Sequence, residues 1–422
     1  MAHQIAFNRC FATPLQGYDY VVGPPLPSPV ALFLTWLDAN GEPSVFQQTT
    51  DGVWLPSQPL TAPGGTGLAS IVGVGNYLVA LGQDQQLYAA YFSQAGDTPN
   101  VFGWSAFQPI FPTLFEYAQG GDIVNPPVNF DDFSATLAWF DGVVSLVIVA
   151  SAKSVSQTPV GPGDAGFFAY TVNLTATAGF TVNSGSWASV SQSSQGGVQS
   201  GQCPALAQTP NLQSIALLGT DAGVLAGWST SNGSDWLAAN TADELLIGPG
   251  IDQIVLTQGA STQPLQAVIL VFGKPLLCWD SSGNGSIWSY YGPLLPANTI
   301  NPPTWTTAAA GTGNAGNLQV VGIGPTVYPQ PLPWLVWQSP AGAWSPFPYD
   351  PNTGEYVDLA SGFGPLGNGT YPADLAIGTG WSGNAPALQV GYLGQDGNIY
   401  ITWQDSGGTW HWYPGLQGHG LP

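Results

Sequence analysis

Leu388-Gln389-Val390-Gly391-Tyr392 is followed by Gln395-Asp396-Gly397-Asn398, then by Ile399-Tyr400-Ile401-Thr402-Trp403-Gln404, Asp405-Ser406-Gly407-Gly408 and Trp410-His411-Trp412. The order is strand, tight turn, strand, Gly-rich turn, aromatic strand. Asp-Gly and Asn-Gly steps supply the positive φ that two-residue hairpin turns require. The phrase returns three times in clear form. Leu265-Gln266-Ala267-Val268-Ile269 leads to Cys278-Trp279-Asp280, Gly283-Asn284-Gly285 and Trp288. Leu318-Gln319-Val320-Val321-Gly322 leads to Trp334-Leu335-Val336-Trp337-Gln338, Gly342 and Trp344. Leu212-Gln213-Ser214-Ile215 leads to Gly227-Trp228-Ser229, Asn232-Gly233 and Trp236. The Leu-Gln starts lie roughly fifty to seventy residues apart, and self-similarity at such a period marks a repeat architecture.

Three further copies are looser. They are Val30-Ala31-Leu32-Phe33 with Asp51-Gly52-Val53-Trp54, Tyr77-Leu78-Val79-Ala80 with Leu87-Tyr88 and Trp104, and Ser145-Leu146-Val147-Ile148-Val149 with Phe167-Phe168-Ala169-Tyr170 and Trp187. Each copy has a lead-in strand of small and β-branched residues, such as Asp374-Leu375-Ala376-Ile377-Gly378-Thr379. Four short strands per unit make a propeller blade. Helical periodicity is almost absent, and 56 Gly with 38 Pro argue against long helices. The expectation is an all-β chain forming one seven-bladed β-propeller of four-stranded antiparallel blades. The blades are placed at 1–62, 63–125, 126–200, 201–250, 251–300, 301–365 and 366–422. Six blades is the alternative, because residues 1–29 match no copy. Closure is expected from an N-terminal strand completing a blade with the C-terminal repeat, which removes open sheet edges.

Composition excludes several functions. Arg9, Lys153 and Lys274 are the only Lys and Arg residues, against 24 carboxylates and a formal charge of −21. Phosphate backbones are held through several Lys or Arg contacts, so nucleic acid and anionic membranes are not expected partners. No P-loop or Rossmann fingerprint is present. Sialidases hold a substrate carboxylate with an arginine cluster, which a single arginine cannot form. Sialidase-type turn motifs do occur: Asp405-x-Gly407-x-x-Trp410 fits one, and Ser229-x-Ser231-x-Gly233-x-x-Trp236 fits with Ser for Asp. They speak for fold only. Charged residues are 6% of the chain, where about a quarter is usual. The surface is therefore neutral, hydrogen-bonding and aromatic, with 17 Trp, 16 Tyr and 18 Phe. Neutral sugars suit it: their C–H faces stack on indoles and their hydroxyls pair with amides and carboxylates. Packing between sheets accounts for many of the aromatics.

Cys10, Cys203 and Cys278 are odd in number and lack metal-type spacing. The N-terminus shows no basic region followed by an apolar core, and no apolar run approaches the ~18–20 residues of a span. A soluble protein, cytoplasmic or released without a conventional signal peptide, is the expectation, with no membrane insertion and no cofactor. Sequons at Asn173, Asn232, Asn284 and Asn368 are at the frequency that chance allows.

Candidate sites compete with ordinary structural roles. His411, between Trp410 and Trp412, is either a sugar contact or a surface or inter-blade contact. Asp350, Asn352 and Asp358 stand at positions 1, 3 and 9 of a loop with Gly354 at position 5, a weak calcium candidate. The pairs Asp131-Asp132 and Asp243-Glu244 are read as lying in loops and turns, with no catalytic spacing. The repeat itself offers Trp403, Gln404, Asp405 and Trp410, Trp337 with Gln338, Trp279 with Asp280, and Trp228 with Trp236. Adjacent strand residues face opposite ways. Either these strand ends form equivalent shallow pockets, or Trp fills the inter-blade layer while Gln or Asp caps the turn.

The stretch Leu388 to Trp410, Leu-Gln-Val-Gly-x-x-Gly-x-Asp-Gly-Asn-Ile-Tyr-x-x-Trp-Gln-x-x-x-Gly-x-Trp, resembles the repeat of the PLL-type "bangle" lectins, seven-bladed propellers that bind fucose and related sugars between blades. The chain is also similar in composition to fungal N-acetylglucosamine-binding propeller lectins. The resemblance covers 370–415 well, 203–350 fairly and the region before 200 poorly, and the basic residues of bangle repeats are nearly missing. It implies a multivalent, non-enzymatic lectin for glycans carrying fucose-like or N-acetylhexosamine residues. The alternatives are a glycoside hydrolase or lyase with carboxylates at the channel mouth, and a protein-interaction scaffold.

Overall fold

The computed structural model describes residues 3–10, 31–94, 102–110, 128–140, 143–154, 165–174, 185–190, 202–210, 214–221, 224–241, 250–258, 264–294, 304–312, 318–325, 331–338, 344–345, 349–350, 355–356, 370–382, 385–405 and 410–412. These residues hold strands and turns, and among them no helix is long and apolar enough to cross a membrane.

Seven sheets of four or five strands follow one another along the chain, with one two-stranded hairpin besides. Their innermost strands are Ile5–Cys10, Leu68–Val74, Val128–Phe140, Gln202–Gln208, Ile251–Gln258, Thr307–Thr312 and Pro372–Ser382. Each pairs antiparallel with the strand that follows it, and two more strands complete the blade outward. Each innermost strand packs against the innermost strands of the two neighbouring blades, the first against the seventh included. The chain is thus a seven-bladed β-propeller. Asn240–Thr241 leaves the fourth blade and runs parallel to the outer strand of the fifth, Ile287–Pro293.

The second strand of each blade is covered on both faces. Tyr77–Gly82 is buried throughout, and Leu265–Val271 at every position but the last. A strand buried on both faces reads as an apolar run rather than an alternation. Two of the third strands come closer to alternation: Val224–Thr230 and Lys274–Asp280 bury every other side chain over part of their length. The apolar clusters accordingly lie between blades. One joins the second and third blades through Tyr77, Leu81, Phe130 and Leu146; another joins the fourth and fifth through Ala216, Leu218, Ile269 and Trp288.

Closure differs from expectation. Ile5–Cys10 pairs with Ala31–Leu37 in its own blade, from Ile5 opposite Trp36 to Cys10 opposite Ala31. The C-terminal repeat supplies all four strands of its own sheet. Among the described residues no strand crosses the seam, because both blades are already complete. Side chains close it instead. Asp374 of the seventh blade accepts from the Gln4 amide at 2.7 Å and lies 3.1 Å from His3 Nδ1. His3 Nε2 lies 2.9 Å from Gln253 Nε2, and Gln253 is itself held by the Ala308 backbone at 2.8 and 3.1 Å.

Turn chemistry repeats with the fold. Tyr88 and Tyr400 each donate to an aspartate four residues back, Asp84 and Asp396, at 2.7 Å. The αL position of the turn is Gln85 (φ 64°) in one copy and Gly397 (φ 79°) in the other. Burial pushes the Asp396 carboxyl upward, but hydrogen bonds from Tyr400 and Asn398 outweigh it and hold the group below its ordinary value. A carboxyl depressed in the folded state stabilises above its unfolded pKa, and that contribution is lost as pH falls through the folded value. Asp396→Asn is therefore expected to flatten the acid limb of stability against pH, checked by thermal melts between about pH 3 and 7. An unchanged limb would show that this turn does not feel the proton.

Candidate functional site at the blade junctions

Strand register shows what the repeated Leu-Gln and Trp-Gln steps do. Gln389 lies opposite Trp403, and Leu388 opposite Gln404. Gln389 is fully buried and donates through Nε2 to Gln48 Oε1 of the first blade at 2.9 Å. Gln319 of the sixth blade donates in the same way to Gln404 of the seventh, at 2.8 Å. A glutamine on the second strand of one blade thus reaches a glutamine at the end of the third strand of the next. A tryptophan lies opposite that second glutamine each time, Trp54 opposite Gln48 and Trp410 opposite Gln404. The backbone leaves room for this rung: a Cβ on Gly380 would stand 2.4 Å from Gln48 Oε1 and 2.6 Å from Gln389 Nε2.

Several sequence expectations are corrected here. Gln404 is a rung member between blades, not an open side chain. Asp280 occupies the same place in the fifth blade. It is fully buried and accepts from the Ser282 and Gly285 amides at 3.0 and 2.7 Å, so its carboxylate closes the turn. Trp228 is a core residue, 7% exposed, edge-on to Phe167 of the third blade with ring centres 5.4 Å apart. It does not correspond to Trp279: in the fourth blade Ile215 faces Thr230 and Ala216 faces Ser229, whereas in the fifth Gln266 faces Trp279. One residue of offset moves a side chain to the opposite face of the sheet.

The remaining candidates divide. Trp403 stacks on His411 at 4.6 Å, and His411 Nε2 lies 2.8 Å from Asp405. Trp236 is half-buried against the layer between the third and fourth blades. Its turn is capped by Thr230, whose Oγ1 accepts from Gly233 N at 3.0 Å. Trp279 keeps open surface, 41% exposed. The backbone of Trp337 and Gln338 lies in the third strand of the sixth blade, with Gln338 opposite Trp344. Asp350 pairs with Glu355 in a small hairpin, Tyr349–Asp350 with Glu355–Tyr356. Asn352, Asp358, Leu212, Gln213, Asp243 and Glu244 fall outside the described residues. Among the described residues no group of three or more metal-ligating side chains assembles.

The acidic pair Asp131-Asp132 lies in the innermost strand of the third blade, not in a loop. A register shift between Phe130 and Asp132 has counterparts at Ile251/Gln253 and Pro372/Asp374. Asp132, Gln253 and Asp374 therefore hold corresponding places after a bulge near the start of their strands. A cavity of ≈330 Å³ runs inside the ring, and His3, Asp132, Cys203 and Gln253 line it with apolar residues of all seven inner strands. Cys203 and Cys278 are free, buried thiols; burial pushes Cys278 up to about 12.

A second concavity, ≈180 Å³, opens between the first and second blades. Its floor is an aromatic cluster: Phe33 and Phe92 at 4.7 Å, with Trp104 at 5.4 and 5.5 Å from them. Gln47, Gln58 and Ser105 line its polar side. The Trp104 indole N–H has no hydrogen-bond partner. Among the described residues the lining contains no charged side chain. Sequence reasoning missed this groove. The available signal was the loose first copy, where Phe33 stands where clear copies have glutamine.

Fold and groove together define a β-propeller with a neutral, aromatic, hydrogen-bonding cleft between blades. No family model matches the chain, and no curated protein matches it. Among solved structures, the BP39L lectin from Burkholderia pseudomallei is similar over 97% of this chain and 98% of that one, at TM-score 0.65 and 16% identity. The periplasmic gluconolactonase PpgL from Pseudomonas aeruginosa is similar over 90% of this chain and 94% of that one, at TM-score 0.50 and 12% identity. The resemblance to propeller lectins read from the repeats holds at the level of fold.

Proposed function

We propose that the protein is a carbohydrate-binding lectin and that the groove between the first and second blades is a binding site for one neutral sugar ring. The observation that carries this is the aromatic cluster of Phe33, Phe92 and Trp104 at the floor of a groove whose described polar side chains are neutral. Phe33, Phe92 and Trp104 supply apolar surface for a C–H face, and Gln47, Gln58 and Ser105 supply donors and acceptors. The groove is smaller than the roughly 300–1,000 Å³ of pockets for drug-sized ligands, which suits a single ring. Fucose-like and N-acetylhexosamine residues are the sugars proposed.

The test is a glycan array with the intact protein, followed by titration of the best binder. Trp104→Ala is expected to weaken binding about tenfold or more, the worth of roughly 1.4 kcal/mol of stacking and hydrogen bonding. Gln58→Ala, at an exposed position, is expected to weaken it with unchanged melting. An array without binders would defeat the proposal, and release of reducing sugar from a polysaccharide would establish hydrolysis in its place.

A further inference from the structure

We infer that the residue pair at the rung position decides which blade junctions are open to ligand, and that Phe33 with Phe92 leaves the junction of the first two blades open. The inference rests on the carbohydrate reading for the ligand, but not for the opening of the groove.

Register establishes the equivalence. Leu32 faces Gln48 and Phe33 faces Gln47 in the first blade, as Leu388 faces Gln404 and Gln389 faces Trp403 in the seventh. Phe33 therefore holds the place of Gln389. In the second blade Phe92 lies opposite Trp104, as Gln404 lies opposite Trp410. Phe92 therefore holds the place of Gln404 and Gln48. Where two other junctions carry a glutamine pair bonded at 2.8 and 2.9 Å, this one carries two phenyl rings at 4.7 Å, tilted 57°.

A third position varies with the pair. Gly380 follows the inner-strand residue facing Leu388 and borders the rung. The same step in the first blade is Cys10, after Arg9 that faces Leu32. Glycine thus borders the bonded pair at Gln389, where the first blade has Cys10 at the corresponding step. The fourth blade is a different case: Ala216 stands at the glutamine place, and a Cβ on Gly285 of the fifth blade would lie 2.7 Å from its Cβ. There the neighbouring backbone itself fills the junction. Two junctions carry an amide rung, one is filled by close backbone approach, and the aromatic one holds the groove. The protein's valence is then set by how many junctions neither a rung nor close backbone approach shuts, not by how many blades repeat the phrase.

The experiment exchanges the rungs. Cys10→Gly/Phe33→Gln/Phe92→Gln installs the polar rung at the first junction. Gln389→Phe/Gln48→Phe removes it at the seventh-to-first junction. Crystal structures of both variants, each soaked with N-acetylglucosamine and with fucose, are compared with soaked wild type, and titration calorimetry with the same sugars gives stoichiometry. The expected result is a bonded amide pair and a closed groove in the first variant with binding lost at least tenfold, and a new aromatic groove in the second. A first variant that keeps its open groove, or wild-type crystals with sugar at the seventh-to-first junction, would overturn the inference. If neither sugar binds wild type, the carbohydrate reading fails for these sugars while the structures still decide whether the pair opens or shuts the junction. Should either variant not fold, the other and the wild-type soaks carry the same test.

Discussion

Trp305→Ala is expected to lower stability by about 3–5 kcal/mol. The indole is 1% exposed and lies in a layer shared by the fifth, sixth and seventh blades, with Val268, Leu277, Val321 and Tyr392 in the same cluster. Its bed is Gly322: a Cβ there would stand 2.1 Å from the ring. The ring nitrogen has no hydrogen-bond partner, so truncation removes packing and leaves a cavity without orphaning a polar group. Unfolding entropy is about 2.1 cal/mol/K per residue, so in a chain of 422 residues each kcal/mol moves Tm by only about 1 °C. A fall of about 3–5 °C in a melt followed by circular dichroism is the expected signal. A shift of less than about 1 °C would mean that the layer collapses around the gap. Gly322→Ala should destabilise from the opposite side, by pushing the same ring out of its bed.

The repeat made the blades legible because a blade is a local object: strand, turn and strand are each written within a few residues. Asp396-Gly397 and Gly394 announce a hairpin wherever they stand. Junctions are not local. The partner of Gln389 is Gln48, at the far end of the chain, and nothing in a single copy of the phrase says whether its glutamine faces solvent, a ligand or the next blade. The strand-end glutamines were therefore open to two readings, and in the fold Gln404 accepts from Gln319 of the neighbouring blade. Asp280 was lost to its own turn for a related reason: an acid followed by Ser-Ser-Gly finds backbone amides closer than any ligand. Seam closure was misjudged because strand exchange and side-chain clasping leave the same trace in sequence, an N-terminal segment that matches no copy. The groove at Phe33, Phe92 and Trp104 was hidden for the opposite reason. Its residues are departures from the repeat, and departures look like weak copies until register shows that they occupy the same places.

Trp228→Ala and Trp279→Ala should differ sharply, although both tryptophans close a third strand in similar phrases. Trp228 is 7% exposed and packs in a layer with Phe140, Val147, Phe167 and Ala169 of the third blade. Trp279 is 41% exposed. The difference follows from one residue of offset. In the fourth blade, Ile215-Ala216 holds the place of Leu265-Gln266, so Ser229 takes the outward position and Trp228 the inward one. Cys278, fully buried, is the true counterpart of Trp228. Cutting Trp228 to alanine removes a filled core position and should cost about 3–5 kcal/mol. The same change at Trp279 should cost about 1 kcal/mol or less, as expected for a half-open surface site. Urea denaturation measures both, with equal slopes showing that only stability has changed. Equal losses at the two positions would contradict the register. A larger loss at Trp279 would mean that its exposed indole is held by contacts beyond its own strand pair.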